Sequence, residues 1–195
     1  MELLLKILIS YFALYIVILF HEWGHSFLYW KYGCKDNWMK VTVKPYLFFS
    51  TPRPVDEEKA GELSDKENLL ISYGGIIANF IFSILGFILI SQFSINNSYI
   101  NLFIHQFISL NLVEIITYLV LGNIYLVSDM KGIAEINPKL RPVNFFLGVI
   151  IAIFYFKYLL ELPKNILGII LIFNLIVIIC MGLGRIIFTY IYSKK

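Results

Sequence analysis

The chain has 195 residues, 59% of them hydrophobic and only 15% charged, with a formal net charge of +3. Together with a mean hydropathy of +0.78, this excludes an ordinary soluble domain and indicates an integral membrane protein. The two cysteines, Cys34 and Cys180, are too few for a disulfide framework or a cysteine-based metal site and are expected as free thiols.

The first element is the apolar run from Leu3 to Trp30. It exceeds the ~20 residues that a spanning helix needs. It is also longer than the roughly 7 to 15 residues of a signal-peptide core and is followed by no small-residue cleavage site, so it is expected to stay in the membrane. Gly33, after Lys31 and Tyr32, suits the stop of this helix. One sizeable polar segment follows, residues 31–68. Within it WMKVTVKPYLFF, residues 38–49, alternates loosely and is rich in β-branched and aromatic residues. That predicts a strand or hairpin at the membrane surface, interrupted at Pro45. STPRPVDEEKAGE, residues 50–62, reads as a solvated turn region. Ser64 to Glu67 (SDKE) has the form of a capping box, which sets the start of the second helix near Asp65.

Four further apolar runs complete the chain: Leu69 to Phe93, Ile100 to Val127, Phe145 to Leu160 and Ile166 to Tyr192. The fourth of the five runs is shorter and suits a tilted or partly interfacial helix. The expected fold is an all-α integral membrane protein of about five transmembrane helices, with four as the competing count. A three-helix core and a short polar, β-like loop between the first two helices belong to a single membrane-embedded domain over residues 1–195. The core covers about residues 1–135 and the C-terminal helices about 144–192.

With five spans, the 31–68 loop, the 129–144 loop and the C-terminus share one side. That side carries Lys31, Lys35, Lys40, Lys44, Arg53, Lys59, Lys66, Lys131, Lys139, Arg141, Lys194 and Lys195, against Lys6, Lys157 and Lys164 on the other. Basic residues collect on the cytoplasmic side, so the N-terminus is expected outside and the C-terminus inside.

Inside the first apolar run lies HEWGH, residues 21–25. His21 and His25, four residues apart on a helix, project from one face and can grip one metal ion. Glu22 is placed to reach a water on that metal. This is the division of roles in the His-Glu-x-x-His pattern, where zinc polarises a water and the glutamate takes its proton. Ionisable groups in a spanning helix are costly and point to function, and two of the chain's three histidines fall in this motif. The bland alternative is a pair of interfacial histidines bonded to loops.

Catalytic zinc takes a third protein ligand and leaves a position open. The first and third spans run in the same direction, so an acid at the cytoplasmic end of the third would meet the histidines at similar depth. Asp129 is there; its alternative is a charge at a helix end. Glu114 lies fifteen residues earlier, roughly 22 Å away along a straight helix, and is not expected to share a metal with Asp129. It is expected to face the bundle interior, pairing with a polar group or lining a water path. Glu57, Glu58, Glu62 and Glu67 in the loop are alternative third ligands.

Three motifs in this order resemble the site-2 proteases, zinc metalloproteases that cut peptide bonds in or beside the bilayer. HEWGH is the first. GGIIAN, residues 74–79, is similar to the family's Gly-Pro-x-x-Asn motif, with Gly75 and Asn79 matching and Ile76 in place of proline. NIYLVSDMKG, residues 123–132, resembles its Asn-x-x-Pro…Asp-Gly segment, with Asn123 and Asp129 matching, Leu126 replacing proline, and Met130 and Lys131 separating the Asp from its Gly. The resemblance covers about residues 10–135 and leaves out the last two spans. It implies one Zn2+ held by His21, His25 and Asp129, Glu22 as the catalytic base, and Gly75, Asn79 and Asn123 beside an extended substrate. Small residues and Asn also serve simply to pack membrane helices.

The expected activity is therefore intramembrane proteolysis of membrane-protein substrates within the lipid bilayer, with the active site toward the cytoplasmic side. Substrate choice would rest on the membrane segments, the 31–68 loop or a regulatory membrane partner; no nucleic-acid partner is expected. WMKVTVKPYLFF is a candidate for pairing with the substrate by strand addition. Two other readings stay open. One is a membrane zinc protease with a loop glutamate as third ligand that acts on cytoplasmic-face substrates; the other is a non-catalytic scaffold or transporter.

Overall fold

The computed structural model of the protein describes residues 1–45, 50–93 and 95–192. Its elements in chain order are α1 (Glu2–Lys31), a short α2 (Glu57–Gly61), α3 (Asp65–Gln92) and α4 (Ser98–Ile116). A π-helical stretch, Thr117–Gly122, joins α4 to a last turn, α5 (Asn123–Tyr125), and α6 (Asp129–Ile136), α7 (Leu140–Glu161) and α8 (Lys164–Tyr192) follow. Five helices are long and apolar enough to cross a membrane: α1, α3, the composite Ser98–Tyr125, α7 and α8.

The composite third span is the centre of the bundle. Of its most apolar window 78% is buried inside the protein, against 28% for the first, fourth and fifth spans. Large apolar side chains such as Phe80, Leu85, Ile150 and Ile153 point outward, whereas Asn79, Gln106, Ser109, Asn111 and Asn174 are buried inside. Lipid is as apolar as leucine, so burying hydrocarbon gives little drive here; close packing and interhelical hydrogen bonds hold the spans together.

Two features fix the helices around the site. First, α1 and α3 touch backbone to backbone: a Cβ on Gly24 would lie 2.7 Å from the carbonyl carbon of Gly74 and 2.8 Å from Cβ of Ala78. Only a residue without a side chain fits there. Second, α7 and α8 are tied to α4 by a buried polar knot. Gln106 Nε2 donates to Asn174 Oδ1 at 2.6 Å, and Asn174 Nδ2 donates to Ser109 Oγ at 2.6 Å and to the Tyr155 hydroxyl at 2.7 Å.

Helix ends follow local chemistry. The capping box at Ser64 is complete, with Glu67 reaching back to the Ser64 N–H at 2.9 Å, and α3 starts at Asp65. α1 stops at Lys31, and Gly33 takes a left-handed φ of 75°, which glycine adopts without steric cost.

The expected surface strand is reduced, among the described residues, to one antiparallel bridge between Thr42 and Thr51, closed by two 3.0 Å hydrogen bonds. Residues 46–49 of that stretch lie outside the described residues. The loop is bound instead by side chains. Lys35 Nζ donates to the carbonyls of Lys40 and Pro52, Ser26 Oγ to the Trp38 carbonyl at 2.6 Å and Trp23 Nε1 to the Met39 carbonyl at 3.1 Å. Cys34 and Cys180 are free thiols.

Candidate metal centre

His21, Glu22 and His25 sit on the buried part of α1, with the two imidazoles one turn apart. Their Nε2 atoms are 3.1 Å from each other. Asp129 Oδ2 lies 3.3 Å from each Nε2. Tetrahedral zinc with bonds near 2.0 to 2.1 Å requires its ligand atoms to stand about 3.3 Å apart, and this triangle has that size. Moreover, Asp129 Oδ2 is buried and makes no hydrogen bond of its own. The donor set therefore fits a metal ion, and among the described residues it is the one group of three such side chains so gathered.

Asp129 reaches the histidines because the third span stops being a helix. Beyond the π-helical stretch, Leu126 adopts a left-handed conformation (φ 52°, ψ 58°) and Ser128 has φ 54°, ψ −140°. Positive φ at residues other than glycine costs on the order of 1 to 3 kcal/mol each, and this break starts α6 at Asp129. Burial works against the charge on Asp129, but the adjacent His25 and His21 outweigh it and hold its carboxyl well below the usual carboxylate range.

Both imidazoles are oriented from behind. His25 Nδ1 is 2.6 Å from the Ile71 carbonyl; a carbonyl only accepts, so Nδ1 carries the hydrogen and Nε2 keeps its lone pair for a metal. His21 Nδ1 faces the amide of fully buried Asn79 at 3.2 Å. The Asn79 Oδ1 is without a partner, and a half-turn of the amide would present it to Nδ1–H. Gly75 adjoins the same ring: a Cβ there would be 2.6 Å from His21 Cδ2 and closer still to Cε1 and Nε2. Gly75 and Asn79 thus stand behind the His21 ring rather than on the cavity wall. Asn123 is elsewhere, buried and donating to the Arg141 carbonyl at 2.6 Å.

The group opens onto a cavity of about 440 Å³ whose walls include Glu22, Tyr29, Ser50, Pro52, Glu114, Tyr118 and Arg185. Glu22 makes no hydrogen bond to a described residue and borders this space beside His21. Glu114 faces the interior as expected: it pairs with Arg185 at 2.6 Å, and it also borders the cavity. Because the chain breaks at 126–128, Glu114 and Asp129 border one space although a straight helix would part them. Of the loop glutamates, Glu57 pairs with Arg53 at 3.1 Å, Glu67 is used in the α3 cap, and Glu58 and Glu62 are exposed; none joins the metal group.

Sequence reasoning missed Arg185, Tyr118 and Gly24. Arg185 carried a readable signal, a lone charge in an apolar run with an opposite charge, Glu114, in another span. Compared with models of known protein families, with curated proteins and with solved structures, the chain matches none.

Proposed function

We propose that the protein is an intramembrane zinc metalloprotease of the site-2 type that hydrolyses peptide bonds of membrane-spanning substrates. The observation that carries this reading is the convergence of His21, His25 and Asp129 at the spacing of a tetrahedral site, with Glu22 beside it on the cavity wall. Two imidazoles and a carboxylate suit zinc, which when bound polarises a carbonyl and lowers the pKa of a water toward about 7. His21, His25 and Asp129 would hold the ion. Glu22 takes the proton of the attacking water and later delivers it to the leaving amine.

A substrate helix hides its carbonyls in its own hydrogen bonds, so it enters locally unwound. Ser50 and Pro52 of the loop and the α8 residues Met181, Gly184 and Arg185 border the space it would occupy. The excess of basic residues on the loop side supports a site that faces the cytoplasm. Suitable substrates are single-span proteins such as remnants of an earlier cleavage, membrane-held regulators or leftover signal peptides.

The test is cleavage of membrane-anchored model substrates by purified protein in liposomes, with zinc quantified in every sample. Glu22→Gln should abolish cleavage and keep zinc, and Asp129→Ala should lose both. Wild type without zinc, or Glu22→Gln with undiminished cleavage, would remove the assignment.

A further inference from the structure

Glu114 and Arg185 are a pair of opposite charges within the spans, and the chemistry above uses neither. Such a pair is expensive to bury, and ionisable groups at this depth serve a purpose by default. Arg185 Nη2 donates to Glu114 Oε2 at 2.6 Å and Nη1 to Thr117 Oγ1 at 3.1 Å. Its guanidinium carbon then sits 4.1 Å from the centre of the Tyr118 ring. That ring lies nearly parallel to the His21 imidazole, at 11° and 4.8 Å between centres. The Tyr118 hydroxyl makes no hydrogen bond to a described residue, so packing and ring contacts alone place it.

The two ligand histidines are held unequally. His25 has a short 2.6 Å contact to a fixed backbone carbonyl, whereas His21 has a side-chain amide at 3.2 Å. The weaker polar anchor leaves the orientation of His21 dependent on what lies against its ring.

We propose that Arg185, fixed by Glu114 and Thr117, is a positioning residue for the metal centre: it clamps Tyr118 against His21 and makes α8 part of the site. Groups behind metal ligands set ring orientation, and their loss weakens metal binding by roughly ten- to hundredfold. The proposal rests on the metal-centre reading of the previous subsection and assigns to the C-terminal helices a share in that centre.

The experiment is titration of the purified full-length protein in detergent with Co2+, reading the dissociation constant and the visible absorption band, which reports ligand geometry. Tyr118→Leu removes the stack and leaves the ion pair. The double variant Glu114→Gln/Arg185→Met removes the pair without stranding a buried carboxylate, so it is the variant expected to fold. Both should bind Co2+ about tenfold or more weakly and shift the band, while Arg185→Lys, which keeps the cation, should fall between them and wild type. Asn174→Leu loosens α8 away from the site and should leave the band in place. The proposal is overturned if the folded double variant binds Co2+ as wild type does with the same band, or if Asn174→Leu shifts the band equally, since Arg185 would then merely hold a helix. Wild type that binds no Co2+ at all removes the metal centre itself, an outcome distinct from both.

Discussion

Replacing Gly75 by alanine adds one methyl group against His21, a proposed metal ligand, and the structure sets the scale of the effect. The new carbon would lie 2.6 Å from His21 Cδ2, and closer to Nε2, where ordinary contacts begin at 3.4 Å. The ring must therefore retreat by roughly 1 Å or the α1–α3 crossing must open, and overpacking of this kind costs about 1 to 3 kcal/mol. Metal–ligand distances tolerate only about 0.2 Å, so the displacement falls on the metal centre first. At about 1.4 kcal/mol per decade, zinc affinity should drop roughly five- to hundredfold. The assay is competition for zinc against a chelating fluorophore, with thermal unfolding followed in parallel. Gly168→Ala is the control, because a Cβ there meets nothing within 4 Å; it should bind zinc as wild type does. A Gly75→Ala protein with wild-type zinc affinity would show that His21 is not a ligand in the arrangement described.

Further outcomes are expected. Asn79→Leu should keep the fold of α3 and weaken zinc binding about ten- to hundredfold, read by the same competition; an unchanged affinity would mean that His21 Nδ1 needs no acceptor. Gly24→Ala should separate α1 from α3, since its Cβ would meet the Gly74 backbone, and lower thermal stability by more than Gly75→Ala does. Ser64→Ala removes the α3 cap and should cost about 0.5 to 2 kcal/mol of stability while leaving zinc binding intact. Single cysteines introduced at Glu58 and at Asn96, in a background with Cys34 and Cys180 replaced, should be labelled by a membrane-impermeant thiol reagent from opposite faces in oriented vesicles. Labelling of both from one face would contradict the odd number of crossings between them.

The helices were legible in the sequence because a bilayer demands about 20 apolar residues per crossing and because local signals at Ser64, Glu67 and Gly33 mark helix ends independently of tertiary contacts. The histidine pair was legible for the same reason: helical spacing alone puts residues 21 and 25 on one face. Asp129 could be placed by depth, but nothing local announces the left-handed Leu126 and the strained Ser128 that aim it, since neither residue favours positive φ. Among the described residues the expected surface strand comes down to a single bridge, because Lys35, Ser26 and Trp23 bind the loop through side chains. Arg185 escaped because charges were weighed loop by loop, and its meaning emerges only when it is paired with Glu114 across two spans.

A regular bundle of five apolar helices could not build this centre. Straight helices crossing at the usual 8 to 10 Å between axes would hold α3 away from the histidines and leave Nδ1 of both without partners. The α1–α3 contact removes that gap: Gly24 and Gly74 bring the backbones together, which puts the Ile71 carbonyl and the Asn79 amide within reach of the two imidazoles. Likewise an unbroken third span would carry Asp129 a full helical rise beyond Glu114, whereas the break at 126–128 lets both border one cavity. The site thus depends on two departures from helical regularity, one made by absent side chains and one by a strained backbone. The strained backbone at Leu126 and Ser128 weakens the bundle in isolation, and a bound metal ion is the interaction that would offset it, because it would draw together the three side chains that these departures deliver. Removal of metal by a chelator should accordingly lower the unfolding temperature of wild type and leave that of Asp129→Ala unchanged.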